Sequence, residues 1–462
     1  MSEPQIIRHA FRLEQVPRRV LLFAPPLYDV RFPWSEWQQP AGLLQLATAL
    51  RRMGCDLRLV DTLSRSPGGA LPRRLVRKFT RGEYSVNYWR WGQPTKALQK
   101  SLDDLKQEGW YPEDIYLLSG LACQWQGSHE AISLARQVFP AARFVLYGDY
   151  PTLATEHALA TSGADVLIEG PIQELVGLPL DLSLYTMRPR IAHLCIGSAE
   201  RPVADLLDEF LVRVAPASRK ERNGHVVLAD PDAFRRFPVH IRALCQAVLE
   251  RNLSISLHAF GGVHPSVLTE DPDLAALLLR TGFKQLIFTD DRAIPFSSDD
   301  WEIYLNELNE AIARCCEAGY RLRTDALVAS ACLGRPQENL IQVVGRVAEL
   351  AHVAGSIILL PYLPIPVESP TGLPLEEANG RLYQFAEANG CNYKDYLDVI
   401  GLAAILNSKY RTKTFDFLGD SLIAHLVRQS LVTESWRPPA TPDQPVTVGY
   451  FGKGGKWVKR PL

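Results

Sequence analysis

Short apolar runs and amphipathic stretches alternate along the first part of the chain. Residues 19–24 are almost wholly apolar and are followed by two prolines, which is typical of a strand buried on both faces of a parallel sheet. In residues 41–53 the leucines recur at helical spacing, so this stretch predicts an amphipathic helix that ends at Gly54. Residues 57–61 return to the pattern of a strand. Together the three elements predict a right-handed strand, helix and strand unit.

The same alternation continues through residue 169. Strands are predicted over residues 114–119, 143–147 and 165–169, with helices over residues 128–139 and 154–161 between them. Such alternation is typical of a doubly wound, Rossmann-like sheet, and we expect residues 1–180 to form one. Glycine, serine and proline stand at the carboxyl ends of its strands, where they let a ligand approach the backbone closely. The same residue types also serve simply to turn the chain, and the sequence leaves both roles open.

Six further apolar runs recur at regular intervals in the second half of the chain. Helical stretches lie between them, which is the pattern of a parallel barrel, and six strands are too few to close one. Residues 188–375 are therefore predicted to form an open, partial (β/α)6 barrel of the TIM type. The predicted strands cover residues 191–195, 224–229, 253–258, 285–290, 321–329 and 356–361.

The remaining residues, 376–462, are predicted to form a small helical C-terminal extension and a tail. Residues 376–388 are amphipathic, and residues 421–428 give a second short helical pattern. Residues 446–460 combine glycines with aromatic and basic residues but lack the strand-to-helix setting of a phosphate-binding loop. We expect this tail to dock as a strand or to contact a partner.

The composition is that of a globular α/β protein with almost no net charge. Of the 462 residues, 47% are hydrophobic and 22% are charged, and 50 basic residues balance 51 acidic ones. A net charge of −1 gives no general attraction for nucleic acid or anionic lipid, so neither is an expected partner. The one basic cluster, Arg73–Arg81, is interpreted as the solvated face of a helix in preference to a phosphate-binding patch.

Targeting signals and disulfide patterns are both missing from the sequence. No apolar run is long enough to span a bilayer, and the N-terminal residues lack the layout of a signal peptide. The eight cysteines are scattered, which fits a reducing compartment better than a disulfide framework. A cytoplasmic location without membrane contact is therefore expected.

Histidines and aspartates stand at the ends of the predicted barrel strands. Side chains at that edge of a parallel barrel converge on one mouth, where a carboxylate and a histidine can act as acid and base. On this ground the candidate catalytic residues are Asp230, His258 and Asp290. No His-x-His or His-Glu-x-x-His pair is present, so no metal site is expected. The other members of the set are Asp232, His264, Asp291 and Asp325.

The strand ends of the first domain carry several short motifs. They are Pro25-Pro26, Asp61 and residues 40–44, 89–92, 124–127, 148–152 and 169–174. Together they resemble the cobalamin-binding domain that precedes many radical S-adenosylmethionine barrels, over most of residues 18–175. The resemblance implies that cobalamin lies flat against the strand ends with its nucleotide tail inside the sheet. The cofactor-binding residues that it implies are Pro26, Leu27, Gly42, Ser119, Gly120, Gln124, Trp125, Gly148, Tyr150, Thr152, Glu169 and Gly170.

Two features of the chain depart from the pattern of that family. There is no Asp-x-His-x-x-Gly, so no histidine is offered as the lower axial ligand of cobalt. Tyr147 stands where the family usually has the first of two glycines, and its ring would occupy the space that the nucleotide tail needs. The resemblance therefore implies cobalamin as the cofactor, with the tail as the point of conflict.

The predicted barrel carries motifs of its own. Residues 278–283 read Leu-x-x-x-Gly-Phe, residues 334–338 read Gly-x-Pro-x-Glu, and residues 361–366 are rich in proline, with Thr371-Gly372 behind them. In this order they resemble the fourth, fifth and sixth units of the partial barrel of radical S-adenosylmethionine enzymes.

Such a barrel holds a 4Fe-4S cluster through a Cys-x-x-x-Cys-x-x-Cys triplet, and this chain has none. Cys195 ends the first predicted strand, and residues 196–202 after it include no other cysteine. One thiolate cannot retain four irons. The cluster is therefore predicted to be absent, and S-adenosylmethionine is not expected to bind.

Three functional hypotheses follow from this combination. The leading one is a degenerate member of the cobalamin-binding radical S-adenosylmethionine family that has lost radical chemistry. It would serve as a binding or accessory subunit, with a small-molecule ligand and with an intact homologue or complex subunit as protein partner. The alternative is a cobalamin-dependent enzyme, such as a methyl transferase, that uses the barrel cavity without a cluster. A cluster enzyme with displaced ligands is the third.

Overall fold

The described residues of the computed structural model fall into two compact units, one before residue 190 and one after it. Each unit has its own hydrophobic core. The structure describes residues 5–8, 17–29, 40–63, 72–81, 84–120, 123–170, 172–175, 178–185, 191–214, 224–228, 230, 232–259, 261–289, 298–322, 326–333, 340–354, 356–361, 399, 403, 447–451 and 457–461.

The first unit contains a parallel sheet, a small antiparallel sheet and five α-helices among its described residues. In chain order its elements are β1 (Gln5–Arg8), β2 (Arg19–Ala24), β3 (Leu27–Asp29), α1 (Ala41–Arg52), β4 (Asp56–Asp61), β5 (Arg73–Arg81), β6 (Tyr84–Trp91), α2 (Thr95–Gln107), β7 (Asp114–Leu118), α3 (Trp125–Val138), β8 (Arg143–Tyr147), α4 (Asp149–Leu153), α5 (Thr155–Thr161) and β9 (Val166–Glu169).

Six strands form the parallel sheet in the order β1-β9-β8-β7-β2-β4. Alternate residues of each strand enter two different cores. Leu21 and Phe23 of β2 share one core with residues of α2, α3 and α5, whereas Val20 and Leu22 share the other with residues of α1. The sheet is therefore buried on both faces, which explains why its strands read as continuous apolar runs.

The remaining strands of this unit correct one sequence prediction. Arg73–Arg81 is not a helix but the strand β5, which pairs with β6 in a three-stranded antiparallel sheet of order β3-β6-β5. The physical reason lies across the strand pair: Arg73 and Leu75 are opposite Trp91 and Trp89, and such cross-strand partners stabilise a strand. The segment is solvated, as expected, because residues 72–78 are all exposed.

The second unit is also built from parallel strands and helices. Its described elements are β10 (Ile191–Leu194), α6 (Val203–Val214), β11 (Gly224–Leu228), α7 (Ala233–Arg236), α8 (Pro238–Glu250), β12 (Ile255–Ala259), α9 (Ser266–Glu270), α10 (Leu274–Arg280), β13 (Leu286–Phe288), α11 (Ser298–Glu317), β14 (Leu327–Leu333), α12 (Leu340–Val353), β15 (Ser356–Pro361), β16 (Thr447–Phe451) and β17 (Trp457–Pro461).

The first six of these strands form two parallel sheets of three, β10-β11-β12 and β13-β14-β15. A single parallel bridge joins Val263, which follows β12, to Phe288 of β13. Side chains from both sheets, including Leu194 and Ala329, belong to one core with residues of α6, α8, α10, α11 and α12. The prediction of an α/β chain with parallel sheets is confirmed. One predicted strand is displaced along the chain: β14 begins at Leu327 rather than at residue 321. The side chain of residue 321 is exposed.

Of the elements predicted after residue 375, only the tail has described strands. The helices expected over residues 376–388 and 421–428 lie outside the described residues. Within the predicted tail, β16 and β17 pair as an antiparallel hairpin. Within the described ranges, no helix is both long and apolar enough to cross a membrane.

Candidate functional site

The carboxyl edge of the first sheet brings several of the predicted cofactor residues together. Gly148 follows β8 with a φ of +109°, and a Cβ added there would lie 2.7 Å from the carbonyl oxygen of Ser119. That same oxygen accepts a hydrogen bond of 3.0 Å from the amide of Tyr150. The loops after β7 and β8 therefore touch through their backbones, and only glycine fits at position 148.

Backbone amides at this edge already have partners within the protein. The amide of Gly120 donates to Oε1 of Gln124 (2.5 Å), and the amide of Gly170 donates to Oγ1 of Thr152 (3.0 Å). The hydroxyl of Thr152 donates to the carbonyl oxygen of Gly148 (2.7 Å). These glycines would have to exchange an internal bond for any bond to a ligand. Glu169 ends β9 beside them and is half-buried.

Three other predicted cofactor residues are packing residues. A Cβ added to Gly127 on α3 would overlap the carbonyl oxygen of Pro26, so the helix is seated directly on that proline. The side chain of Leu27 is fully buried in a small core with Trp91. A Cβ added at Gly42 would meet the side chain of Leu118 at 3.0 Å.

Trp125 and Tyr150 belong to an aromatic group that the sequence did not reveal. The hydroxyl of Tyr150 lies 2.9 Å from Nε2 of His129 and 2.8 Å from Nδ1 of His157. The ring of Trp125 meets both imidazoles edge to face. A phenol between two imidazoles can donate to one and accept from the other, so the group can relay a proton. The spacing of Trp125 and His129, four residues apart on α3, was the available signal.

Tyr147 lies beneath this edge, in the core on the α1 face of the sheet. Its side chain is buried against residues that include Tyr116, Ile168 and Leu175. Burial raises its pKa far above the usual value, and its hydroxyl has no hydrogen-bond partner among the described residues. The ring therefore fills part of the core on the α1 face of the sheet.

A second group that the sequence did not reveal ties the antiparallel sheet to α3. The carboxylate of Glu130 accepts hydrogen bonds from Tyr28 (2.5 Å), from Nε of Arg90 (2.7 Å) and from Thr95 (2.8 Å). Burial alone would raise the pKa of Glu130, but the bonds from Arg90 and Tyr28 and the charge of Arg90 outweigh it and lower the pKa. Glu130 is therefore an ionised anchor rather than a proton donor.

In the second unit, Asp230 closes the loop that follows β10. Its carboxylate accepts hydrogen bonds from the amides of Ile196 (2.6 Å) and Gly197 (2.8 Å) and from the thiol of Cys195 (3.3 Å). Burial, and then the charge of Asp230, raise the pKa of the Cys195 thiol. The carboxylate thus holds the loop in place, and the thiol stays protonated.

Arg201 closes the same loop from its other end. Its guanidinium donates to the carbonyl oxygen of Cys195 (2.6 Å) and to Oε2 of Glu209 (2.5 Å), and only 6% of its side chain is exposed. Nε2 of His240 lies 2.6 Å from the carbonyl oxygen of Arg201. From Cys195 to Arg201, the loop is held at both ends by buried polar groups.

Two of the other candidate histidines, His258 and His264, lie among the described residues of this unit. His258 on β12 and His193 on β10 are both in register with Val227 of β11, so these buried imidazoles flank it on one face of the sheet. His264 lies in a turn, 2.9 Å from the hydroxyl of Ser266. Asp290, together with Asp291 and Asp325, lies outside the described residues.

Burial makes two thiols of this unit, Cys245 and Cys315, poor metal ligands. Burial raises the pKa of Cys245 to about 11 and that of Cys315 to about 12, and only the thiolate binds metal well. In the part of the chain that the structure describes, no three histidine, cysteine or acidic residues are placed to hold a metal ion.

Neither a family model nor a curated protein sequence is significantly similar to this chain.

Proposed function

We propose that this chain is a non-radical relative of the cobalamin-binding radical S-adenosylmethionine proteins that serves as a binding or accessory subunit. In this proposal the first unit is a doubly wound, Rossmann-like domain. The strand order β4-β2-β7-β8-β9 supports it. The chain goes from β2 outward to β4 and then crosses back to the other side of β2, where β7 lies, as in doubly wound sheets. The second unit is a partial barrel, supported by six parallel strands paired in chain order within each sheet.

The observation that carries the proposal is the closed loop after β10. A 4Fe-4S cluster needs three thiolates and an open concavity at this loop. Here the single thiol is protonated against Asp230, and the backbone around it is engaged by Asp230 and Arg201. Opening the loop for a cluster would break the bonds of two amides to Asp230 and the bond of Arg201 to the carbonyl oxygen of Cys195.

Reconstitution with iron and sulfide under anaerobic conditions tests this directly. We expect the wild-type chain to retain no stoichiometric iron and to form no 5′-deoxyadenosine from S-adenosylmethionine after reduction. Iron retention together with 5′-deoxyadenosine formation would refute the proposal.

The loop also offers a matched variant for this experiment. Ala199 and Pro202 stand where the second and third cysteines of the triplet would follow Cys195. Ala199→Cys with Pro202→Cys restores the spacing, and we expect this variant to retain more iron than the wild type. An equal iron content in both proteins would show that the missing thiolates are not what excludes the cluster.

The residues of the first unit fit only part of a cobalamin molecule. Thr152 is exposed and Gly120, Gly148 and Gly170 are half-buried, so a flat ring can reach this edge. The nucleotide tail does not fit, because the ring of Tyr147 fills the core beneath. We propose that any corrinoid bound here lies on the edge with its tail outside the sheet.

Two corrinoids separate these possibilities, since cobinamide lacks the nucleotide tail. We expect the wild-type chain to retain cobinamide at least as well as hydroxocobalamin after gel filtration, as read from the visible spectrum. Tyr147→Gly should favour hydroxocobalamin, because it opens room for the tail. Tyr147→Phe is the control: it keeps the ring, so corrinoid retention should not change. A wild-type preference for hydroxocobalamin would contradict the proposed tail position.

One observation favours a catalytic alternative, a cobalamin-dependent transferase without a cluster. The hydroxyl of Tyr150 lies between His129 and His157, and this group can relay a proton on the α3 face of the sheet. Methyl transfer from methylcobalamin to an added thiol, which yields a thioether, cob(I)alamin and a proton, would favour this alternative over the accessory role if it is lost in Tyr150→Phe.

A further inference from the structure

The strand β5 forms an open edge of the small antiparallel sheet. It pairs with β6 on one side, and no described strand pairs with its other side. Residues 72–78 are all exposed. The unpaired side of an edge strand offers backbone donors and acceptors to another strand, so this edge can accept a further strand.

The edge also carries a concentrated positive charge. Within its nine residues stand Arg73, Arg74, Arg77, Lys78 and Arg81, with no acidic residue among them. Two of the guanidinium groups lie over aromatic rings: the Cζ of Arg73 is 4.4 Å from the ring centre of Trp89, and that of Arg77 is 5.4 Å from the ring centre of Tyr88. Guanidinium groups pair with carboxylates through two parallel hydrogen bonds, so this strand favours acidic partners.

We infer that β5 binds an acidic, extended segment of a partner protein, which adds to the sheet as a fourth strand. Backbone bonds along the open edge would supply affinity, and the basic side chains would select carboxylates. Binding at this edge does not depend on whether the chain binds a corrinoid. A partner of this kind is what an accessory subunit would need.

Two alternatives fit the same strand less well. Proteins that bind single-stranded nucleic acid stack its bases on open aromatic faces, whereas Tyr88 and Trp91 are buried and guanidinium groups already lie over these rings. Charges and bulges also protect edge strands from association. A purely protective edge has no need for exposed apolar residues, yet Leu75 and Val76 are 40% and 43% exposed.

A labelled peptide of alternating glutamate and valine probes the charge requirement on the full chain. We expect Arg74→Glu with Lys78→Glu to weaken its binding at least about tenfold in fluorescence anisotropy at low salt, because both side chains are exposed cations on the edge. The control, Arg52→Glu with Lys106→Glu, makes the same change of charge on exposed positions of α1 and α2 and should leave the affinity unchanged. Equal weakening in both variants would overturn the inference.

The strand requirement needs a second variant. Val76 has no Cα partner in the β5 and β6 register, so Val76→Pro removes an amide from the strand while every paired residue keeps its side chain. We expect it to abolish peptide binding while hydrogen exchange in β6 stays unchanged. Undiminished binding by Val76→Pro, or tighter binding of an oligothymidylate than of the peptide, would overturn strand addition by an acidic protein.

Discussion

Gly127→Ala is expected to destabilise the first unit by about 3 kcal/mol or more, although alanine is the better helix former by about 1 kcal/mol. The added methyl group would overlap the carbonyl group of Pro26, and its nearest neighbours are all backbone atoms of that residue. Backbone cannot rotate away as a flexible side chain can, so α3 has to lift from the turn between β2 and β3. That movement would also strain the 2.8 Å hydrogen bond from the amide of Tyr28 to the carbonyl oxygen of Cys123.

Hydrogen exchange read by mass spectrometry suits this comparison, because the two units need not unfold together. Protection should fall in α3 and β2 of the Gly127→Ala protein and stay unchanged in the second unit. Gly345→Ala on α12 is the matched control, since no atom lies within 4 Å of its added Cβ. It should be neutral or stabilising by up to about 1 kcal/mol. A Gly127→Ala protein as stable as the wild type would show that α3 is not seated on Pro26.

The parallel strands were predictable because burial on both faces leaves a simple signature. The strands over residues 19–24, 114–118 and 143–147 are continuous apolar runs bounded by polar or turn-forming residues, and β2, β7 and β8 lie there. The close contact between Gly127 and the backbone of Pro26 could not be predicted from the sequence in the same way. Nothing local distinguishes it from Gly345, because the difference is the presence of Pro26 against one helix and open space beside the other.

The strand β5 shows how a local pattern fails. Its basic residues follow the spacing of one helical face, and helix was the prediction. The register shifts between Leu75 and Arg77, where the extra residue Val76 moves the alternation of the strand by one position and so obscures the strand pattern. The decisive interactions are with Trp89 and Trp91 on β6, and partners across a strand are invisible to periodicity within it.

The positions of the candidate residues at strand ends were predictable from the sequence, but their hydrogen-bond partners were not. Strand ends gather side chains in any parallel sheet, which is why Ser119, Gly148 and Asp230 were selected. Their partners depend on which strands are neighbours. Asp230 reaches the amides of Ile196 and Gly197 because β10 and β11 are paired, and the sequence alone does not specify that pair. A residue chosen as a possible acid or base thus has its oxygens bound by the backbone.

Asp230→Asn is expected to loosen the loop after β10 by about 3 kcal/mol, since each of the two amide bonds to a charged acceptor contributes about 1.5–3 kcal/mol. An asparagine side chain has one oxygen and presents an NH2 group to the second amide, so that donor loses its partner. Exchange of the Ile196 and Gly197 amides should become faster by roughly two orders of magnitude, in proportion to this loss.

The reactivity of the Cys195 thiol is a second, independent measurement of the effect of Asp230→Asn. Burial is the larger cause of its raised pKa and the charge of Asp230 the next, so removing that charge lowers the pKa while leaving it above the usual value. Because the thiolate is the reactive form, alkylation of Cys195 at mildly alkaline pH should be faster in Asp230→Asn than in the wild type. Asp232→Asn is the matched control. Asp232 has a half-exposed ion pair with Arg235, and exposed pairs contribute at most about 1 kcal/mol, so exchange and alkylation should both stay near wild-type rates. Equal rates in the two variants would mean that Asp230 does not hold the loop, and the closed loop would then no longer explain the absence of cluster chemistry.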